Sequence, residues 1–216
     1  TVQPEFTFMP FQDIWNAEAW ERLKPGAVIP DNQPDAPQGR FWWQGNQGEV
    51  GAFWNGYDSL WISATSMREQ PQQVATTFFN ASRHKDFSLH INKGLSGEHP
   101  EARRRDLDTA LHPDCYDAAG LVICASLQQY RYPGLAGHEP DIEQGQAEAV
   151  RVQRVMATLR QAFPKAGTYS NETDYFLADP GRAQWGPHLE RLRAVKRRVD
   201  PANLFRVHNG IGNLQA

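Results

Sequence analysis

Apolar residues recur every three or four positions in five stretches of the chain, which is the spacing of one buried helix face. We predict helices over residues 11–24, 70–84, 99–111, 141–163 and 179–195. The apolar stripe of the longest one consists of Val152, Val155, Met156, Leu159 and Phe163. Asp179-Pro180 suits the start of the last helix, because aspartate caps free N–H groups and proline fits the first turn.

Two patterns predict β-strands before residue 93. Residues 48–55 and 59–66 flank the turn-like segment Asn55–Asp58, which indicates an antiparallel hairpin. Residues 87–92 alternate, so that Phe87, Leu89 and Ile91 would point one way and Ser88, His90 and Asn92 the other.

Two further strands are expected later in the chain. Residues 120–127 are apolar almost throughout, as in a strand buried on both faces, and a short strand is expected over Gly167–Thr173. Strands with hairpin-like neighbours between helices indicate an α+β fold. We expect a mostly antiparallel sheet covered by helices on one side.

The Pro-rich residues 25–39 interrupt these patterns and mark a surface loop or a linker. We therefore divide the chain into an N-terminal helix with its linking segment at 1–40, an α+β domain at 41–166, and a C-terminal segment at 167–216.

Composition and charge exclude several classes of function. The 22 basic and 25 acidic residues leave a net charge of −3, which gives no electrostatic case for nucleic acid. No apolar stretch is long enough to span a membrane, and Thr1 opens no signal-peptide pattern, so the compartment stays open. Cys115 and Cys124 do not form a disulfide framework, and Cys124 is expected to be a buried small apolar residue.

Sequence motifs for common chemistries are absent. The seven histidines show no metal-ligand spacing, so we expect no metal site and rank a metallohydrolase low. The chain has no G-x-S-x-G elbow, no P-loop and no G-x-G-x-x-G dinucleotide motif. The residue patterns alone therefore predict an α+β domain and do not indicate its function.

The C-terminal third carries four short motifs in one order. They are Tyr169-Ser170-Asn171-Glu172-Thr173-Asp174, Trp185-Gly186, Arg191-Leu192 with Val195-Lys196, and Asp200-Pro201-Ala202-Asn203-Leu204-Phe205. This series resembles the C-terminal signature of berberine-bridge-type FAD-linked oxidases, within the vanillyl-alcohol-oxidase superfamily. Residues 92–118 and 132–141 are similar to bacterial members of that group.

The resemblance implies FAD as the cofactor and a substrate-binding role for residues 41–166. It also implies that residues 167–216 pack toward a flavin-binding domain that this chain lacks. We expect that domain on another chain, or in a longer protein of which this chain is a fragment. No residue here can be assigned as a covalent flavin anchor. Many relatives have two adjacent histidines near the end, where this chain has His208-Asn209.

The resemblance also suggests site residues. On a strand, Tyr169 and Asn171 would share one face. The resemblance implies that this face lies toward the flavin ring and substrate. A tyrosine can accept a proton when positive neighbours lower its pKa from about 10, or it can orient the substrate by a hydrogen bond. We expect Tyr169 to have one of these roles, and Asn171, His208 and Asn209 to lie on the cofactor side.

A second candidate surface is the polar side of the 87–92 strand, with His90, Asn92 and Lys93. These residues either line the substrate pocket or are ordinary surface residues. The functional prediction is oxidation of a CH–OH or CH–NH centre in a small organic substrate, by hydride transfer to flavin N5. The alternative is a non-catalytic α+β binding module that keeps the scaffold.

Overall fold

The computed structural model describes residues 8–37, 39–45, 51–91, 99–129 and 131–212, which form two compact units. The first unit comprises the described parts of Thr1–Phe53 and Gln128–Pro140. Its helix α1 (Ala17–Leu23) begins where Asn16 accepts two backbone N–H bonds, and the Trp20 ring meets Trp43 edge-on at 4.7 Å. Strands β1 (Val28–Pro30) and β2 (Phe41–Trp43) pair antiparallel.

The second unit, Trp54–Leu127 with Asp141–Ala216, is built on a three-stranded sheet. Strands β3 (Phe53–Ser63), β4 (Ser88–Ile91) and β5 (Ala118–Gln128) lie in the order β3-β5-β4, with β4 antiparallel to β5. Its helices are α2 (Ala64–Glu69), α3 (Pro71–Ser82), α4 (Pro100–Asp106), α5 (Asp114–Asp117), α6 (Ile142–Ala162), α7 (Pro180–Trp185) and α8 (Leu189–Val199).

The core of this unit lies between the sheet and the two long helices α3 and α6. Its buried members are Leu60 and Ile62 of β3, Val122 and Cys124 of β5, Ala81 of α3, and Val152, Val155, Met156 and Leu159 of α6. The stripe predicted on α6 therefore faces the sheet, apart from Phe163, which packs at the edge. The predicted α+β fold with antiparallel strands and covering helices is confirmed.

The predicted hairpin around Asn55–Asp58 is wrong, because these residues lie inside the single strand β3. Gly56 allows α6 to approach, since an added Cβ would lie 3.3 Å from the Val152 Cβ. Asp58 binds Arg160 of the same helix. Gly56 and Asp58, which are typical turn residues, thus allow α6 to pack against β3. The first predicted hairpin strand also included residues 48–50, which lie outside the described residues.

The predicted strand over Gly167–Thr173 is also wrong. Gly167 lies beside β3, where its carbonyl accepts the Trp61 N–H at 2.9 Å, but the chain turns after Tyr169. The helix expected over 179–195 is two helices, because Gly186 adopts a φ of 51° between α7 and α8. The 11–24 prediction resolves into a 3-10 turn (Phe11–Asp13) and α1, and the 99–111 helix ends at Asp106.

Within the described ranges, none of the helices combines the length and the apolar character that crossing a bilayer requires. The division at residues 1–40, 41–166 and 167–216 stays a prediction.

Candidate active site

The segment that follows α6 is fastened to β3 by a pair of buried hydroxyl groups. The Ser59 and Thr168 side-chain oxygens lie 2.9 Å apart, and both residues are fully buried. The Ser59 hydroxyl also accepts the Tyr169 N–H at 3.1 Å, while the Thr168 N–H donates to the Ala183 carbonyl. Because every one of these polar groups is paired, the backbone that carries Tyr169 is held in one position.

A buried ion pair anchors the other end of the same loop. Arg160 donates to both carboxylate oxygens of Asp58, at 2.7 and 3.1 Å, and the Asp174 N–H donates to one of them at 3.4 Å. Burial raises the pKa of Asp58, against the opposing effect of the Arg160 guanidinium. We call residues 169–176, which include the anchored positions Tyr169 and Asp174, the site loop.

Tyr169 and Asn171 are in direct contact although no strand carries them. The chain turns between Tyr169 and Glu172, and the Asn171 amide donates to the Tyr169 phenol oxygen at 2.8 Å. The Trp61 ring lies 6.2 Å from the Tyr169 ring. Because the phenol oxygen accepts from the amide, its hydrogen remains available to donate outward.

Sequence reasoning missed a second polar pair at this loop. The Tyr57 phenol donates to the Glu172 carboxylate at 3.1 Å. On the strand expected over Gly167–Thr173, Glu172 would lie on the opposite face from Tyr169, but the turn removes that alternation. One signal was present, because Tyr57, Ser59 and Trp61 occupy alternate positions of β3 and so share a face.

His208 and Asn209 dock onto the far end of the site loop. The His208 ring stacks on the Tyr175 ring, with centroids 3.6 Å apart and an interplanar angle of 8°. The Asn209 amide donates to the Asp174 and Tyr175 carbonyls, both at 3.2 Å. The structure thus brings Tyr169, Asn171, His208 and Asn209 to one loop.

His90 belongs to a different edge of the sheet. It pairs with Leu121, next to the core pair Leu89–Val122, so its exposed side chain lies on the face away from α3 and α6. Strands are about 4.8 Å apart, so β5 and β3 separate it from the Tyr169 segment by about 14 Å. Asn92 and Lys93 lie outside the described residues. No three His, Cys, Asp or Glu side chains in the described ranges group as metal ligands would.

Comparison with known proteins matches the same end of the chain. Residues 168–212 match the family "Berberine and berberine like". The FAD-linked oxidoreductase notD of Aspergillus sp. (strain MF297-2) is 31% identical over 115 residues, which cover 52% of this chain and 17% of that protein. An uncharacterized FAD-linked oxidoreductase of Arthroderma benhamiae is 42% identical over 48 residues, or 22% of this chain and 8% of that protein.

A solved structure agrees with the fold. The VAO-type flavoprotein MtVAO615 from Myceliophthora thermophila C1 aligns with a TM-score of 0.52 and 21% identity, over 73% of this chain and 27% of that one. The chain spans less than a third of the length of each of these relatives. Residues 168–212 therefore match the berberine and berberine-like family, and two proteins named as FAD-linked oxidoreductases are similar to parts of the chain.

Proposed function

We propose that the chain supplies the substrate-facing part of an FAD-dependent oxidoreductase. Its substrate is a small organic molecule with an alcohol, sugar or related CH–OH or CH–NH centre. The observation that carries the proposal is the Tyr169–Asn171 pair, which lies within the family match and on a loop fixed by buried hydrogen bonds.

The groups on this side of β3 suit contact with a flat ring system and a polar substrate. Tyr169 and Asn171 offer a hydroxyl and a carboxamide, and Trp61 and Tyr57 add aromatic surface. FAD, when bound, supplies a hydride acceptor at N5.

Each residue has a defined task in this proposal. Tyr169 hydrogen-bonds the substrate and, in its phenolate form, takes the proton of the substrate O–H or N–H to become the neutral phenol. Asn171 holds the phenol through its amide N–H, which leaves its carbonyl oxygen for the cofactor side. Glu172, bound to Tyr57, is the second acceptor that faces the substrate. His208 and Asn209 keep the loop closed on the cofactor side.

We assign the dinucleotide itself to a flavin-binding domain outside this chain. The sequence has no G-x-G-x-x-G segment with which a helix N-terminus could receive a pyrophosphate. The chain alone is therefore expected to retain no FAD. We expect it to copurify with FAD only when a polypeptide that carries the flavin-binding domain is coexpressed with it.

The visible absorbance spectrum of both preparations tests this assignment. A yellow, FAD-loaded preparation of the chain alone contradicts it. In the coexpressed complex, Tyr169→Phe is expected to lower the rate of flavin reduction by about 100-fold, since general-base catalysis contributes that order, with the FAD content unchanged. Tyr116→Phe is the control, because its hydroxyl contacts Thr109 outside the site.

The outcomes distinguish a catalytic complex from a binding module that keeps the fold without the reaction. Unchanged flavin reduction in Tyr169→Phe would remove Tyr169 from the reaction. A complex with no flavin bands and no reduction by any alcohol, sugar or amine would favour the non-catalytic binding module.

A further inference from the structure

A cleft of about 890 Å³ lies in the second unit, formed by residues that the proposed reaction does not use. Its walls are the loop before α5, the turn that follows α6, and the Leu177–Glu190 segment. Half of the lining residues are apolar, among them Pro113, Pro164, Leu177, Ala178, Pro187 and Leu189. A cleft of this size accommodates a small organic ligand.

His112 lies at the base of this cleft with its ring 9% exposed. The ring fits between two glycines, because a Cβ on either Gly167 or Gly186 would come within 2.6 Å of its Nε2. Its Nδ1 accepts the Asp114 N–H at 3.2 Å, while the Asp114 carboxylate at 3.6 Å is too distant for a hydrogen bond. The neutral ring therefore carries its proton on Nε2.

No described residue accepts a hydrogen bond from the His112 Nε2–H. Burial lowers the pKa of His112, so the ring is an uncharged donor near neutral pH. This donor is therefore available to a ligand or a water in the cleft. The free N–H group indicates that a molecule bound in this cleft carries a hydrogen-bond acceptor.

The charged residues of the lining differ in whether another residue of the chain already binds them. Asp114 accepts the Gly167 N–H, Asp179 caps α7 and pairs with Arg182, and Glu190 pairs with Arg193. Arg160 is bound to Asp58. Lys165 is the lining cation for which the described part of the chain shows no ion pair. An anionic group in the cleft can therefore pair with Lys165, while the Asp114 carboxylate keeps its hydrogen bond to the Gly167 N–H.

We propose that this cleft binds a small organic carboxylate. Its anionic group is held by the Lys165 ammonium and the His112 N–H, and its apolar body lies against the prolines and Leu189. The site goes beyond the proposed oxidation, because it needs neither FAD nor Tyr169. A free N–H donor, an unpaired cation and an apolar wall match the three parts of such a molecule.

Titration of the full 216-residue chain with benzoate, 2-naphthoate and the neutral isostere benzamide tests the proposal. We expect 2-naphthoate to bind with a dissociation constant of about 1 mM, the affinity typical of a ligand of this size. Benzoate should bind more weakly, and benzamide about tenfold more weakly than benzoate. The His112 Nε2 resonance should shift as the carboxylates bind.

Three variants locate the binding. Lys165→Gln is expected to weaken benzoate about tenfold, the effect of losing one charged hydrogen bond, and Ala178→Trp should weaken it by occupying part of the cleft. Lys24→Gln removes the same charge from a residue that does not line the cleft, and should bind normally. Equal affinity for benzoate and benzamide, indifference to both cleft variants, or no binding at about 10 mM would overturn the proposal.

Discussion

The Asp58 carboxylate joins three parts of the chain although the residue is only 2% exposed. It accepts from Arg160 of α6, from the Ser59 N–H of its own strand and from the Asp174 N–H of the site loop. Each donor offsets part of the free energy that is needed to bury the charge. The stability of this residue in its charged form therefore depends on all three elements remaining assembled.

Replacement of Asp58 by Asn should change how stability depends on pH. Burial raises the pKa of Asp58 in the folded state, so its contribution is fully present below its unfolded pKa near 3.8 and is lost as pH rises through the folded pKa. Asn does not titrate. The wild-type free energy of unfolding should therefore fall relative to Asp58→Asn as the pH rises above about 4, in urea titrations. A difference that grows with pH would mean that Arg160 outweighs burial.

The two C-terminal helices depend on a glycine at their junction. Gly186 ends α7 with φ 51°, a region that side chains disfavour, and α8 starts after one 3-10 turn. The helical spacing of Trp185, Leu189, Leu192 and Val195 continues across this break, which is why the sequence pattern predicted one helix. The break allows the His112 ring to pack against the junction.

Gly186→Ala is expected to destabilise the fold by about 2 kcal/mol or more, from strained backbone and from contact with His112. The double variant Gly186→Ala with His112→Ala separates the two causes, since it removes the ring and keeps the strain. Thermal and urea unfolding of the four proteins in this cycle provide the coupling energy. If the two substitutions prove additive, the ring does not oppose the added methyl group.

The sequence predicted those helices and strands in which the spacing of apolar residues matches the face that is buried. The α6 stripe and the apolar run of β5 pack against each other, so period and burial agree. Asn55-Gly56 and the 167–173 segment failed because their polar and small residues serve contacts with distant residues. Gly56 makes room for Val152, and Thr168 pairs with Ser59, which lies 109 positions away.

The candidate site also has one part that the sequence could predict and another part that it could not. The proximity of Tyr169 to Asn171 follows from two positions of separation, and the turn preserves it. The partners Tyr57 and Trp61 come from β3, more than 100 positions earlier, and local spacing carries no information about them. The pairing of distant segments therefore had to come from the structure.

At the scale of the whole molecule, the family-matched end leaves large apolar side chains in water. They are Tyr175, Phe176, Leu204, Phe205 and Val207, all at least 60% exposed. Lys196 nevertheless holds this segment in place, through Asp200 and the Phe205 carbonyl. Ordered and exposed apolar residues are typical of a surface that another polypeptide covers. We propose that this set contacts the flavin-binding domain expected on another polypeptide.

Phe205→Ser should weaken association with the flavin-binding polypeptide about tenfold or more, because burial of a phenylalanine contributes about 1.5–3 kcal/mol. Pull-down titration and retained flavin absorbance measure the loss. Phe79→Ser is the matched control, since Phe79 is 65% exposed but lies on α3, outside the family match. The Phe205 variant should keep its thermal stability, because an exposed ring contributes little to the core. Equal losses in both variants would show that this apolar set does not mediate the contact.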